Sequence, residues 1–183
     1  DLPINLLTIS DFFSEVTYVP MPATLGVAGS WNLGIKSFPF AENWFFASND
    51  VEFHGDALER LSEADRDSLT LSGMFPFWQV FSLGYEACRR VGFFDSGFFP
   101  AYFEDNDYAR RCEHFGVSIK KLDLNISHDN SSTLRSNPRF IERNAQTFSE
   151  NQKYFEDKVA RNDFGPGGWD IERRRRNAWE SGR

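Results

Sequence analysis

The stretch Phe98-Phe99-Pro100-Ala101-Tyr102-Phe103-Glu104-Asp105-Asn106-Asp107-Tyr108-Ala109-Arg110-Arg111 constrains the fold of this chain more than any other. An aromatic run delivers three acids into four positions. A helical pattern follows at once: Tyr108, Cys112 and Phe115 recur at i, i+4 and i+7 and form an apolar stripe. Gly116 stands where a helix-ending glycine does. Glu104 and Asp105 therefore fall at the N-cap or in the first turn, where free N–H groups and the helix dipole favour a carboxylate. A lone acid there would be read as a cap. Capping needs one acid, and the surplus points to a site.

A chain of 183 residues is long enough for one domain with a real core and short for two. Its 20 Phe and 5 Trp predict heavy aromatic packing, with most rings in the core and a few, such as Trp31, Trp44, Phe99 and Tyr102, placed to stack on a ligand. The net charge of −7 argues against a nucleic acid or an anionic membrane as main partner and suits a site for a divalent cation. Cys88 and Cys112 sit in helical patterns with apolar neighbours, which predicts buried reduced thiols and a reducing compartment. No apolar run approaches the length of a membrane span, and no signal-peptide pattern opens the chain, so the expected location is cytoplasmic. The sequons Asn125-Ile126-Ser127 and Asn130-Ser131-Ser132 are then chance matches.

Taken in order, Leu2–Ile9 and Val16–Val19 read as strands, the second closed by Pro20 and Pro22. Gly26 to Ile35 pairs two glycines with a short helix, a pattern that lets backbone approach a ligand or simply makes a tight turn. Trp44–Ser48 reads as a buried strand running into Asn49-Asp50, which is either an Asx turn or a ligand-binding position at a strand's carboxyl end. Asp56 opens a helix through Leu58 and Leu61; Ser68–Ser72 and Trp78–Ser82 read as strands; Tyr85–Val91 is a helix ended by Gly92. Val117–Leu122 and Leu124–Ser127 are strand-like and lead to His128, a residue type that ligates metals beside carboxylates. Pro138 starts a long helix with Ile141, Ala145, Phe148, Phe155 and Val159 on one face, broken at Gly165-Pro166. Arg173–Arg176 is a solvated face or a phosphate site, the first being the default.

In this order, Gly26-Val27-Ala28-Gly29-Ser30-Trp31-Asn32-Leu33-Gly34-Ile35, Asn49-Asp50-Val51, Val91-Gly92-Phe93-Phe94-Asp95, Phe99 to Asp107, and His128 resemble the family-2 glycosyltransferases of GT-A fold over roughly residues 15 to 135. The resemblance implies a Rossmann-type α/β three-layer sandwich with a mixed central sheet. It also implies that about one βα unit, roughly 30 residues, is missing or truncated ahead of Leu2. Residues 1–135 would form the nucleotide-sugar and metal-binding domain, and residues 136–183 a C-terminal helical extension that serves the acceptor side or packing. Gly26, Gly29, Asn32, Asn49 and Asp50 would bind the donor. Asp50 would ligate Mn²⁺ or Mg²⁺ with His128, and Ser48 replaces the family's usual first acid. Asp105 would be the general base, with Glu104 its alternate; Tyr102 and Trp169 would lie on the acceptor side, where Gly167-Gly168-Trp169 is a scrambled form of a family motif.

The resemblance thus implies a metal-dependent, inverting hexosyltransferase that moves a sugar from a nucleotide-sugar, UDP-linked by preference, to a hydroxyl of a glycan or protein-linked acceptor. At a helix start, Asp105 is expected to stay ionised near neutral pH. Two other classes stay open. One is an inactive GT-A-like sugar- or protein-binding module, favoured by Ser48 and the missing unit. The other is a phosphohydrolase or nucleotidyltransferase, which would need a second acid cluster or a phosphate-cradling glycine loop with Lys.

Overall fold

The computed structural model describes residues 21–128 and 138–165. The expected strands at Leu2–Ile9 and Val16–Val19, together with Trp169 and Arg173–Arg176, lie outside them. The elements in order are α1 (Gly26–Ser37), β1 (Asn43–Ala47), β2 (Val51–Phe53), α2 (Ala57–Ser62), β3 (Ser68–Ser72), a 3₁₀ turn (Phe77–Gln79), β4 (Val80–Gly84), α3 (Tyr85–Val91), α4 (Glu104–His114), β5 (Ser118–Leu122), β6 (Ile126–His128) and α5 (Pro138–Ala160).

Four strands form an open mixed sheet in the order β1-β4-β3-β5, with β1/β4 and β4/β3 antiparallel and β3/β5 parallel. The two central strands, β3 and β4, are buried at every position, as strands covered on both faces must be. A separate antiparallel ribbon pairs β2 with β6 and sets Val51 opposite His128. The chain is thus a mixed α/β fold. The expected strand at Trp78–Ser82 begins two residues later, because Gln79 N–H donates to Pro76 O at 3.1 Å and tightens Phe77–Gln79 into a 3₁₀ turn.

The main core lies between the sheet and helices α1, α3 and α4, and its centre is aromatic. Trp31 contacts Phe81 at 4.9 Å and Phe94 at 4.8 Å between ring centroids, and Phe94 stacks on Tyr108 at 4.0 Å. Cys88 and Cys112 are buried free thiols within it. Burial pushes the Cys112 thiol up to about 12 and Cys88 higher still. A smaller cluster of Ala57, Leu61, Val80, Leu124 and Ile126 closes the other face. Along α4 the expected stripe holds at Tyr108 and Cys112, whereas Phe115 is exposed.

Helix α5 turns inward a face that only partly coincides with the one its apolar residues mark. Phe148 and Phe155 pack on Phe103 but Phe148 and Val159 stay partly exposed, while Asn151 and Lys158, seven residues apart, are buried with Tyr154 between them. The buried charge explains the choice. Lys158 Nζ lies 2.6 Å from Asp95 Oδ2 and 2.8 Å from Asp107 Oδ1, and Arg111 Nε lies 3.0 Å from Asp107 Oδ2. Arg111 also donates to the carbonyl oxygens of Val91 and Phe93, and Asp95 accepts from Tyr154 Oη and Gly97 N–H. Two cations and two carboxylates balance inside the protein. The third acid of the surplus, Asp107, is therefore occupied by packing.

Burial pushes the Asp95 carboxyl up, but its bonds from Lys158, Gly97 and Tyr154 outweigh that and hold it below the usual carboxylate range. Its contribution to stability is present above the unfolded value near 4 and is lost as pH falls through the lower folded value. Removing one member of such a group strands the rest. Lys158→Met should lower stability by about 3–5 kcal/mol, measured by urea unfolding at pH 7. A loss under about 1 kcal/mol would show that the two carboxylates do not depend on Lys158.

Candidate functional site

Three segments distant in sequence line one cleft of about 760 Å³. Thr24, Gly26, Val27, Ser30 and Trp31 come from the start of α1, Phe46 to Asn49 from the end of β1, and Pro100-Ala101 from the approach to α4, with Trp78 and Phe81 completing it. The segments meet for local reasons. Val27 N–H donates to Pro100 O at 2.7 Å, and a Cβ at Gly26, whose φ is +70°, would lie 2.7 Å from that same oxygen. Any side chain at residue 26 would force the two walls apart. At the end of β1, Ser48 N–H donates to Gln79 O at 2.8 Å, and Val51 N–H to Ser48 O at 3.2 Å closes a turn over Asn49-Asp50.

That turn divides its two polar residues. Asn49 lines the cleft, while Asp50 lines a more open hollow of about 430 Å³ with Val51, Glu52, Ser127 and His128. The β2/β6 register brings His128 Nε2 to 3.0 Å from Asp50 Oδ1, and His128 Nδ1 is buried without a hydrogen-bond partner. The two residues named for a metal are thus brought together. A carboxylate and an imidazole are residue types that could ligate a divalent cation, and here they bond each other. Among the described residues no group of three or more His, Cys, Asp or Glu gathers, so the protein alone would supply a sparse ligand set.

The Glu104–Asp105 pair opens α4 three and four residues past Ala101. The chain arrives there through two left-handed residues, Tyr102 at φ +82° and Phe103 at φ +69°. Side chains without special tolerance for that region are held in it by their surroundings. Phe103 packs between Phe148 and Phe155 of α5, Tyr102 meets Phe148 edge-on, and Asn151 Nδ2 donates to Ala101 O at 2.7 Å and Tyr102 O at 3.3 Å.

Glu104 is buried, and its Oε2 has no hydrogen-bond partner. Burial, with Asp105 alongside adding repulsion, pushes its carboxyl up to about 8 against the bonds from its own and Tyr102 N–H groups. Burial also raises Asp105, opposed by the N–H of Asn106, which donates to its Oδ1 at 2.8 Å. The direction of this shift is opposite to the one that the helix start alone would give. The helix dipole is worth about 1 kcal/mol at most at an open terminus. Withdrawing a carboxylate from water costs several kcal/mol, so burial wins.

The other named residues have different surroundings. Asn32 is buried with both ends of its amide engaged: Nδ2 donates to Phe94 O at 2.8 Å, and Oδ1 accepts from Phe94 N–H at 2.9 Å. It ties α1 to the loop after α3. Gly29 faces Leu25 of its own helix and is not among the cleft residues. Tyr102 lies against Phe148 of the long helix. Sequence reasoning missed Trp78, read as the start of a strand, and Ser30. Trp78 stacks on Trp31 with centroids 6.0 Å apart and planes at 21°, giving the cleft an aromatic wall.

Among the described residues no charged side chain lines the cleft; hydroxyls, one amide and aromatic faces do. Such a lining suits an uncharged polar ring, with the charge-handling groups, Asp50 and His128, just outside it. Comparison of the chain with family models, with curated proteins and with solved structures finds no match.

The titration of Glu104 gives a signed prediction. A carboxyl raised to about 8 in the folded state contributes stability fully below its unfolded value near 4.3, and loses that contribution as pH rises through about 8. Glu104→Gln, neutral at every pH, should gain on the wild type on the order of 2–4 kcal/mol between pH 5 and pH 9, read from thermal or urea unfolding at both values. A gap that does not change with pH would place the Glu104 carboxyl in water.

Proposed function

We propose that this chain is a metal-dependent, inverting glycosyltransferase of the family-2, GT-A type, moving a sugar from a nucleotide-sugar, UDP-linked by preference, to an acceptor hydroxyl. The observation that carries the reading is the cleft: Gly26 and Asn49, named from sequence for the donor, line it together with Ser48 and Pro100-Ala101, while Asp50, His128, Glu104 and Asp105 are not in its lining. The Asp50–His128 contact supports the metal assignment.

The sugar rests against the Trp31/Trp78 wall, and Ser30, Ser48 and Asn49 address its hydroxyls. Asp50 and His128 would hold a divalent cation, which would supply Lewis-acid neutralisation of charge on a departing diphosphate. The acceptor hydroxyl approaches from the α4 side, and a carboxylate there takes its proton as the new bond forms. With Glu104 raised to about 8, Asp105 is the carboxylate available as base at pH 7, and Glu104 remains protonated beside it. A single displacement inverts the anomeric centre.

A screen of nucleotide-sugars with Mn²⁺, scored for hydrolysis and transfer, tests the reading directly. Asp105→Asn should cut turnover by at least about a hundredfold while leaving Mn²⁺-dependent UDP binding, measured by calorimetry, within about twofold. Asp50→Ala should remove the metal dependence of that binding. Full turnover by Asp105→Asn would end its role as base. The uncharged lining and Ser48 also favour a second reading, a sugar-binding module without turnover. Binding of free sugars with no metal-dependent heat from UDP would select it.

A further inference from the structure

Helix α5 braces the approach to the Glu104–Asp105 pair at more than one point. Lys158 and Tyr154 hold Asp95 at one end of the loop, and Lys158 holds Asp107 just inside α4. Docking of the helix is thus served by charge and by the aromatic contacts of Phe148 and Phe155 with Phe103. Asn151 adds nothing of that kind. It is an amide at 5% exposure, in a position where an aliphatic side chain would pack at less cost, and its Nδ2 is spent on two successive main-chain oxygens, those of Ala101 and Tyr102. Ala101 lines the cleft, and Tyr102 is the first of the two left-handed residues that end at Glu104. A directional bond to those carbonyls fixes the peptide orientation on which that turn depends.

We propose that Asn151 is a positioning residue for the base: its buried amide holds the left-handed Tyr102-Phe103 turn, and so sets where Glu104 and Asp105 stand relative to the cleft. This rests on the transferase reading for its catalytic meaning, while the geometry it describes is independent of turnover. Asn151 lies about 50 residues from the segment it orients, on a helix none of whose described side chains lines the cleft.

The test uses the full chain with three variants. Asn151→Leu keeps the bulk and removes the donor, Asn151→Asp keeps the shape and turns a donor into an acceptor, and Asn151→Gln keeps the amide. None of them alters Asp105, Asp107 or Arg111 on α4, or Lys158 on α5. The first readout is the Glu104 titration, followed by ¹³C NMR of its side-chain carboxyl. Asn151→Leu and Asn151→Asp should move it from about 8 to below about 7 as the turn relaxes and water enters, and Asn151→Gln should restore most of the shift.

The second readout is kinetic. In the two donor-less variants kcat should fall at least about tenfold with donor KM within about twofold, because binding is kept and the base is misplaced. A Glu104 titration unchanged in Asn151→Leu, with stability alone reduced, overturns the positioning role. A wild-type chain without transfer, whose variants still shift the titration, overturns the transferase reading and leaves the geometry standing. Should both donor-less variants fail to fold, the wild type decides. A scalar coupling across the hydrogen bond from the Asn151 side-chain nitrogen to the Ala101 carbonyl carbon supports the proposal, and its absence overturns it.

Discussion

Lys158 places its ammonium between two carboxylates inside the protein, and the arrangement of everything on the α4 side of the cleft depends on that contact. Asp95 belongs to the loop after α3, Asp107 to the first turns of α4, and Lys158 to a helix far along the chain. Charge buried this deeply is tolerated only when it is balanced and hydrogen-bonded, and here the four groups Asp95, Asp107, Arg111 and Lys158 balance. Neighbouring contacts inherit the alignment. Arg111 locks onto the carbonyls of Val91 and Phe93, Asn32 locks onto Phe94, and α1 is thereby tied to the same loop.

Two electrostatic environments lie side by side. The described lining of the cleft is aromatic and uncharged, whereas Asp50 meets His128 past one strand end and Glu104 and Asp105 open one helix. Their local physics differs too. Asp50 faces an open hollow, and Glu104 is withdrawn from solvent with an oxygen left unpaired. A carboxyl kept protonated beside another of the same kind is a common way for one site to offer both a donor and an acceptor of protons.

Much of the fold was legible because its signals are local. The helix ends at Gly92 and Gly116 and the apolar runs at Trp44 and Ser68 each carry their own explanation within a few residues. So does the contact of Asp50 with His128 once both are put at strand ends. What stayed hidden is decided at long range. Apolar spacing marks the face of α5 that holds Phe148, Phe155 and Val159, but the residues buried deepest are Asn151 and Lys158, whose partners lie on other segments. Asp107 read as part of a site for the same reason: nothing near it in sequence reveals the lysine it meets. The upward shift of Asp105 was hidden because a helix start can be recognised in sequence, whereas the depth at which it is buried cannot.

The main-chain bond from Val27 to Pro100, with Gly26 pressed against the same oxygen, has an effect on what evolution can alter here. One end of the opening is gauged by peptide groups, whose spacing holds for as long as residue 26 stays glycine. Variation in the shape of this cleft then falls to its aromatic members, Phe46 and Trp78 among them, whose size and polarity can change while the aperture at the glycine stays the same.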